Sequence, residues 1–189
     1  DNFGDYMKQA VDMMFKAMPD GLRIEDYNEI TDAIVKMSLS NTYVYTRELL
    51  QTLKRNNFFL IAISGSEVKA VSTLARSLGF DAWVGEVNYI ETNGKLNGQI
   101  KALTQSKAEI LRTIIKKFDL NEKGSTAVGD TSSDISVLEM VDSPIVFNPN
   151  QALFKVAREK GWMIVLERKD MVYGMVQENG QYTLKQVNV

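Results

Sequence analysis

Apolar positions recur at helical spacing through the first quarter of the chain, then give way to short apolar runs alternating with amphipathic segments. From Phe3 to Met18, Tyr6, Ala10, Met13, Met14 and Ala17 fall at helical spacing, and Pro19-Asp20-Gly21 breaks the run. A second helix is predicted over about 25–37, with Ile30, Ile34 and Met37 on one face, and a third over roughly 45–55, ending at Asn56-Asn57. Met7, Met13, Met14, Met18 and Met37 make this region Met-rich, and a Met stripe at helical spacing is read as flexible core filling.

Beyond residue 57 the pattern changes. FFLIAI (58–63) predicts a fully buried strand, and 67–80 an amphipathic helix closed by Gly79. Ala82 to Val84 predicts a short strand, and 87–100 alternates around Asn93-Gly94, a hairpin signal. Residues 107–118 predict a helix with Ile110, Leu111, Ile114 and Ile115 inward and its Lys residues outward. Strands are expected at 125–128, 145–147 and 162–166, helices at 134–141 and 151–160, and a last hairpin at 171–187 turning at Asn179-Gly180. Alternating strand and helix implies an α/β fold: a Rossmann-like, doubly wound, mostly parallel sheet that binds ligands at the carboxyl ends of its strands. The C-terminal β-hairpin is expected to be a simple edge hairpin, the alternatives being that it extends the sheet or forms a partner contact.

Composition narrows the chemistry. The 189 residues are 44% hydrophobic, enough for one domain with a small appendage. The longest strongly apolar run is FFLIAI, far short of the ~20 residues of a membrane-spanning helix. A formal net charge of -2 leaves no dominant basic face, so nucleic acid is not expected as a partner. The chain starts at Asp1 rather than Met, and an upstream segment is expected to have been removed. There is no Cys and no His. That excludes disulfides, thiolate nucleophiles, Cys-based zinc sites and the usual general base. Catalysis would have to run on carboxylates, hydroxyls, Lys, backbone amides and a hard, oxygen-liganded cation such as magnesium.

Three strand or helix ends carry candidate chemistry. Ser64-Gly65-Ser66 follows the 58–63 run and opens a helix, so hydroxyl and free amides could cradle a phosphate; alternatively Ser64 or Ser66 simply caps the helix. Gly129-Asp130-Thr131-Ser132-Ser133-Asp134 follows the 125–128 strand. Asp130 could reach a cation above the sheet and Asp134 support it; alternatively Ser132 or Ser133 caps the next helix with Asp134 in its first turn, which leaves Asp130 and its Gly unexplained. Lys107 sits in a first helical turn, where a cation opposes the macrodipole, and this hints at an anion nearby; alternatively its side chain simply reaches solvent.

Taken in order, Ser64-Gly65-Ser66, Lys107 and Gly129 to Asp134 resemble the haloacid dehalogenase superfamily of phosphatases, in its phosphoserine phosphatase-like branch. The resemblance runs from about Val44 to Leu166 and includes SGSEVKAVSTLARSLGFDAWVGE and SPIVFNPNQALFKVAREKGWMIV. It implies a helical cap segment at 1–43, a hydrolase core at 44–170 and a hairpin extension at 171–189. It also implies that Ser64 and the Gly65 amide hold the substrate phosphoryl group and that Lys107 neutralises the nucleophile and transferred oxygens. Asp130 would bind Mg2+, with Asp134 supporting it from behind. The implied reaction is Mg2+-dependent hydrolysis of a small phosphorylated metabolite through an aspartyl-phosphate, in the cytoplasm. The family's nucleophile lies in a DxDx[TV] motif, and no DxD occurs in this sequence. Either an upstream segment, of the same or another polypeptide, supplies that strand, or the chain is a non-catalytic relative that binds phosphate-bearing ligands or partners. The first is expected, because a parallel sheet lacking a central strand leaves backbone groups unpaired at about 1–3 kcal/mol each. The substrate and the oligomeric state are not legible in the sequence.

Overall fold

The structure is a computed structural model that describes residue 13 and residues 21–168, 171–178 and 181–186. The predicted helix over 3–18, Met13 apart, and the Asn179-Gly180 turn lie outside the described residues. In chain order the elements are β1 (Leu22–Arg23), α1 (Ile24–Leu39), α2 (Val44–Arg55), β2 (Ile61–Glu67), α3 (Val68–Leu78), β3 (Ala82–Thr92), β4 (Lys95–Ala102), α4 (Lys107–Phe118), β5 (Thr126–Gly129), a 3-10 turn (Ser132–Asp134) running into α5 (Ile135–Leu138), β6 (Ser143–Phe147), α6 (Gln151–Lys160), β7 (Met163–Arg168), β8 (Met171–Glu178) and β9 (Gln181–Gln186). The chain divides into two compact units, Asp1–Asn41 with Leu60–Thr104 and Thr42–Phe59 with Gln105–Val189.

In the first unit the sheet order is β1-β4-β3-β2. β2 and β3 run parallel across the α3 crossover, and β3 and β4 form the predicted hairpin. Its turn residues Asn93 and Gly94 both have positive φ (52° and 75°), as the favoured two-residue hairpin turn requires. The strand predicted at 58–63 is displaced. Phe58 and Phe59 are exposed and precede the strand, while β2 starts at Ile61 and continues through the serines to Glu67. Asp81 fixes the start: its carboxylate accepts from the Leu60 amide at 2.7 Å, and its own amide donates to the Leu60 carbonyl. The run is not fully buried either, because β2 is the edge of its sheet and Ile61 to Ile63 are only half-buried.

α1 turns inward a different face from the one its apolar spacing predicts. It buries Thr31 and Val35, whereas Ile30, Ile34 and Met37 are 49%, 58% and 71% exposed. Tyr27, Thr31, Val35 and Leu39 follow one another at spacing four and form the inward row, so the Ile/Met stripe faces away from it. Met13 is likewise exposed. The core-filling role expected for Met13 and Met37 therefore does not hold.

In the second unit the order is β5-β6-β7-β8-β9. β5, β6 and β7 are parallel, and β8 and β9 continue the same sheet antiparallel, so the C-terminal hairpin extends the sheet. Of the parallel strands, β6 and β7 are buried on both faces, as βαβ crossovers dictate. Val146 and Ile164 pack with Leu138, Leu153 and Ala157 on one side, and Ile145, Phe147 and Val165 pack with Tyr45 and Val172 on the other. Fully burying a side chain such as Leu153 or Ile164 contributes about 1.5–3 kcal/mol. α6 matches its predicted span, with the Asn150 side chain capping its start and Gly161 in the left-handed region ending it. Tyr182 on β9 ties the hairpin down, its hydroxyl donating to the Ala157 carbonyl at 3.0 Å. The helix predicted at 134–141 is shorter, a 3-10 turn followed by α5. β5 pairs on one side only among the described strands, which leaves Val128 43% exposed.

Candidate functional site

The loop after β5 is organised by Asp134. Its Oδ2 accepts from the backbone amides of Asp130 and Thr131, both at 3.0 Å, and from the Thr131 hydroxyl at 3.2 Å. Its Oδ1 accepts from Lys107 Nζ at 2.7 Å. The two side chains are only 13% and 15% exposed, so this is a largely buried ion pair. Burial alone would raise the Asp134 carboxyl's pKa, but the Lys107 ammonium and the two amides outweigh it and hold the group below the usual Asp range. The anion implied by Lys107 in a first helical turn is therefore Asp134. Ser106 caps α4 and, with Glu109, forms a capping box that fixes where Lys107 starts.

Gly129 is explained by the same carboxylate. A Cβ there would lie 2.5 Å from Asp134 Cβ and 3.0 Å from its Cγ, so Asp134 can fold back over the strand end only if residue 129 has no side chain. Gly129→Ala is expected to cost about 1–3 kcal/mol by overpacking. Urea unfolding measures this, and a loss confined to a few tenths would show that Asp134 can step aside.

Asp130 differs from its neighbours. Its backbone is held at both ends: the amide donates to Asp134, and the carbonyl accepts from the Asn150 amide at 2.8 Å. The side chain is exposed and does not share the Lys107 ion pair. Partial burial and the nearby Asp134 charge raise its pKa above the usual Asp value, against the pull of Lys107. A carboxylate held in place and penalised for its own charge is one a cation relieves. The donor is a hard oxygen, suited to Mg2+, which takes one or two carboxylates and completes its shell with water and phosphate oxygens. Among the described residues there is no cluster of three or more acidic, His or Cys ligands.

Ser64 and Gly65 belong to the other unit. Neither serine caps α3. Glu67 does, its carboxylate accepting from the Lys69 and Ala70 amides at 2.8 and 2.9 Å. Ser64 Oγ accepts from the Ser66 amide at 3.2 Å, which bends the strand end. The register against β3 shifts between Ser64 and Glu67, so Gly65 and Ser66 form a bulge opposite Glu86. Gly85 admits the bulge, since a Cβ there would lie 2.7 Å from the Val68 Cα. Sequence reasoning missed Glu67 and Glu86. Glu67 also hydrogen-bonds Tyr27, whose hydroxyl is driven to a raised pKa chiefly by burial.

A family model for haloacid dehalogenase-like hydrolases matches residues 7–142. Curated relatives include "Phosphoserine phosphatase SerB1" of Mycobacterium tuberculosis, 33% identical over 123 residues that make up 63% of this chain and 39% of the relative. The phosphoserine phosphatase of Wolinella succinogenes is 29% identical over 128 residues, 66% of this chain and 59% of that protein. The chain thus spans less than two thirds of the length of these relatives. Among solved structures, a phospho-aspartyl intermediate analogue of phosphoserine phosphatase superposes with TM-score 0.54 at 28% identity, covering 66% of this chain and 58% of the other. The family model covers more than half of the sequence and both of the strand ends described above, and the chain belongs to the haloacid dehalogenase-like hydrolases.

Proposed function

We propose that this chain carries the phosphate- and metal-binding part of a Mg2+-dependent phosphomonoester hydrolase that works through an aspartyl-phosphate in the cytoplasm. The supporting observation is the division of labour after β5. Asp134 and Lys107 neutralise each other and brace the loop, while Asp130, braced by its backbone, keeps its carboxylate outside that pair. Asp130 would hold the Mg2+, which offsets charge on the transferring phosphoryl oxygens. Lys107, anchored by Asp134, would present its remaining N–H donors to those oxygens, and Ser64 with the Gly65 amide would bind a phosphoryl oxygen. The attacking carboxylate would come from a DxDx[TV] segment that these 189 residues do not contain. Its oxygen would bond to phosphorus as the ester P–O bond breaks, an acid of the same segment would give the leaving alcohol its proton, and water would then hydrolyse the aspartyl-phosphate to release phosphate. Phosphoserine, which the relatives' names give as their substrate, is the first phosphomonoester to try.

The absence of a DxD motif favours a second reading, a non-catalytic module that binds phosphate-bearing ligands. The full-length gene product assayed on p-nitrophenyl phosphate and a panel of phosphomonoesters separates the two. Turnover that disappears with EDTA and returns with Mg2+ is expected. No turnover of any ester would leave the binding module.

A further inference from the structure

α1 starts without a side-chain cap, since the Arg23 side chain before it accepts no helix amide. The first amides of a helix have no carbonyl of their own helix to bond. The Ile24 amide finds one in the β3-β4 turn, donating to the Gly94 carbonyl at 3.0 Å. A hairpin turn thus holds a helix start, and its sequence is Asn93-Gly94. In an Asn-Gly pair the side-chain amide carbon is open to attack by the next backbone nitrogen, because Gly has no Cβ to shield it. The structure adds three conditions that favour the attack. Asn93 is exposed. Apart from its chain neighbours, nothing lies within 4 Å of where a Gly94 Cβ would stand. The Gly94 N–H has no hydrogen-bond acceptor among the described residues.

We propose that Asn93 is a site of non-enzymatic deamidation, with water as co-reactant, whose isoaspartyl product releases the start of α1. A base takes the Gly94 amide proton, and the nitrogen bonds to Asn93 Cγ. The Cγ–Nδ2 bond breaks, and ammonia leaves carrying a proton back. Water then opens the cyclic imide. Cleaving the Gly94 nitrogen's bond to Cγ gives aspartate. Cleaving its bond to the backbone carbonyl carbon gives isoaspartate, in which the chain runs through Cβ and Cγ and the old carbonyl becomes a free carboxylate. Both products add a negative charge, but only isoaspartate lengthens the turn, by one backbone atom. A two-residue hairpin turn is matched to the register of its strands, here with Thr92 opposite Lys95. The inserted atom therefore displaces the Gly94 carbonyl from the Ile24 amide.

The test incubates the full-length gene product at mildly alkaline pH, follows Asn93 by peptide mapping and reads Ile24 amide exchange by NMR in the separated isoaspartyl fraction. Isoaspartate at Asn93 is expected to accumulate in the folded protein. In that fraction Ile24 is expected to exchange about tenfold faster, the scale of one lost backbone hydrogen bond. Asn93→Asp carries the new charge without the extra backbone atom and is expected to keep the Ile24 protection. Asn93→Gly suits the same positive-φ turn, has no side-chain amide to lose and is expected to keep that protection through the incubation. A folded protein that keeps its Asn93 amide overturns the proposal, whatever the urea-unfolded chain does. So does isoaspartate formed with Ile24 protection unchanged. Protection lost equally in Asn93→Asp would assign the effect to charge, and protection lost in incubated Asn93→Gly would assign it to another site; either overturns the proposal.

Discussion

Asp134→Ala loses about 3–5 kcal/mol of unfolding free energy, the usual cost of removing one partner from a buried ion pair. Three consequences combine. Lys107, 15% exposed, is left with an uncompensated charge. The amides of Asp130 and Thr131 lose their acceptor, and the space over Gly129 empties. Urea denaturation followed by circular dichroism gives the number, and a loss under about 1 kcal/mol, the worth of an exposed pair, would overturn the buried-pair account. Lys107→Met in the Asp134→Ala background is expected to recover part of the loss, because the stranded charge is gone.

The same pair sets part of the acid response. Asp134's folded-state pKa is depressed, so its contribution is fully present above the unfolded-state value near 3.8 and is lost as pH falls through the lower folded value. Asp130 acts with the opposite sign: its raised pKa means that ionisation opposes folding, and protonation in acid relieves the penalty. Asp134→Ala should therefore flatten the acid limb of the stability curve.

Asp130→Asn gives the second large effect. In the full-length gene product, Mg2+-dependent turnover is expected to fall by about a thousandfold or more, the scale of losing a metal's stabilisation of transition-state charge. Stability is expected to hold or rise slightly, because the substitution removes a charge that the fold disfavours while the backbone bonds to Asp134 and Asn150 remain. Activity within tenfold of the wild type would overturn the proposal that Asp130 holds a metal, and a large loss of stability would show that its side chain braces the loop.

The difference between these two acids was only partly legible in the sequence. Capping chemistry accounted for Asp134's place but did not show that its carboxylate serves the loop and Lys107 together, since Lys107 lies 27 positions away in the chain. A cation in a first helical turn hints at an anion nearby, and Asp134 is that anion. Gly129 could not be explained from the sequence because its reason is a tertiary contact, the Asp134 side chain lying over it. At the first strand, serines and Glu67 all offer acceptors at a helix start, and local chemistry does not choose among them. β2 runs on to Glu67, which moves the helix start beyond both serines. The α1 stripe failed for another reason. Periodicity reveals a face, but Thr31 concealed that the row of Tyr27, Val35 and Leu39 was the competing one.

Because Asp130 is clamped through its peptide groups, the loop's shape does not depend on what its side chain is. Geometry and chemistry at this position are separable. An engineer could exchange the Asp130 side chain for another and keep the scaffold, whereas Gly129 and Asp134 would have to change together. Position 130 works as a socket, and its two neighbours are the housing.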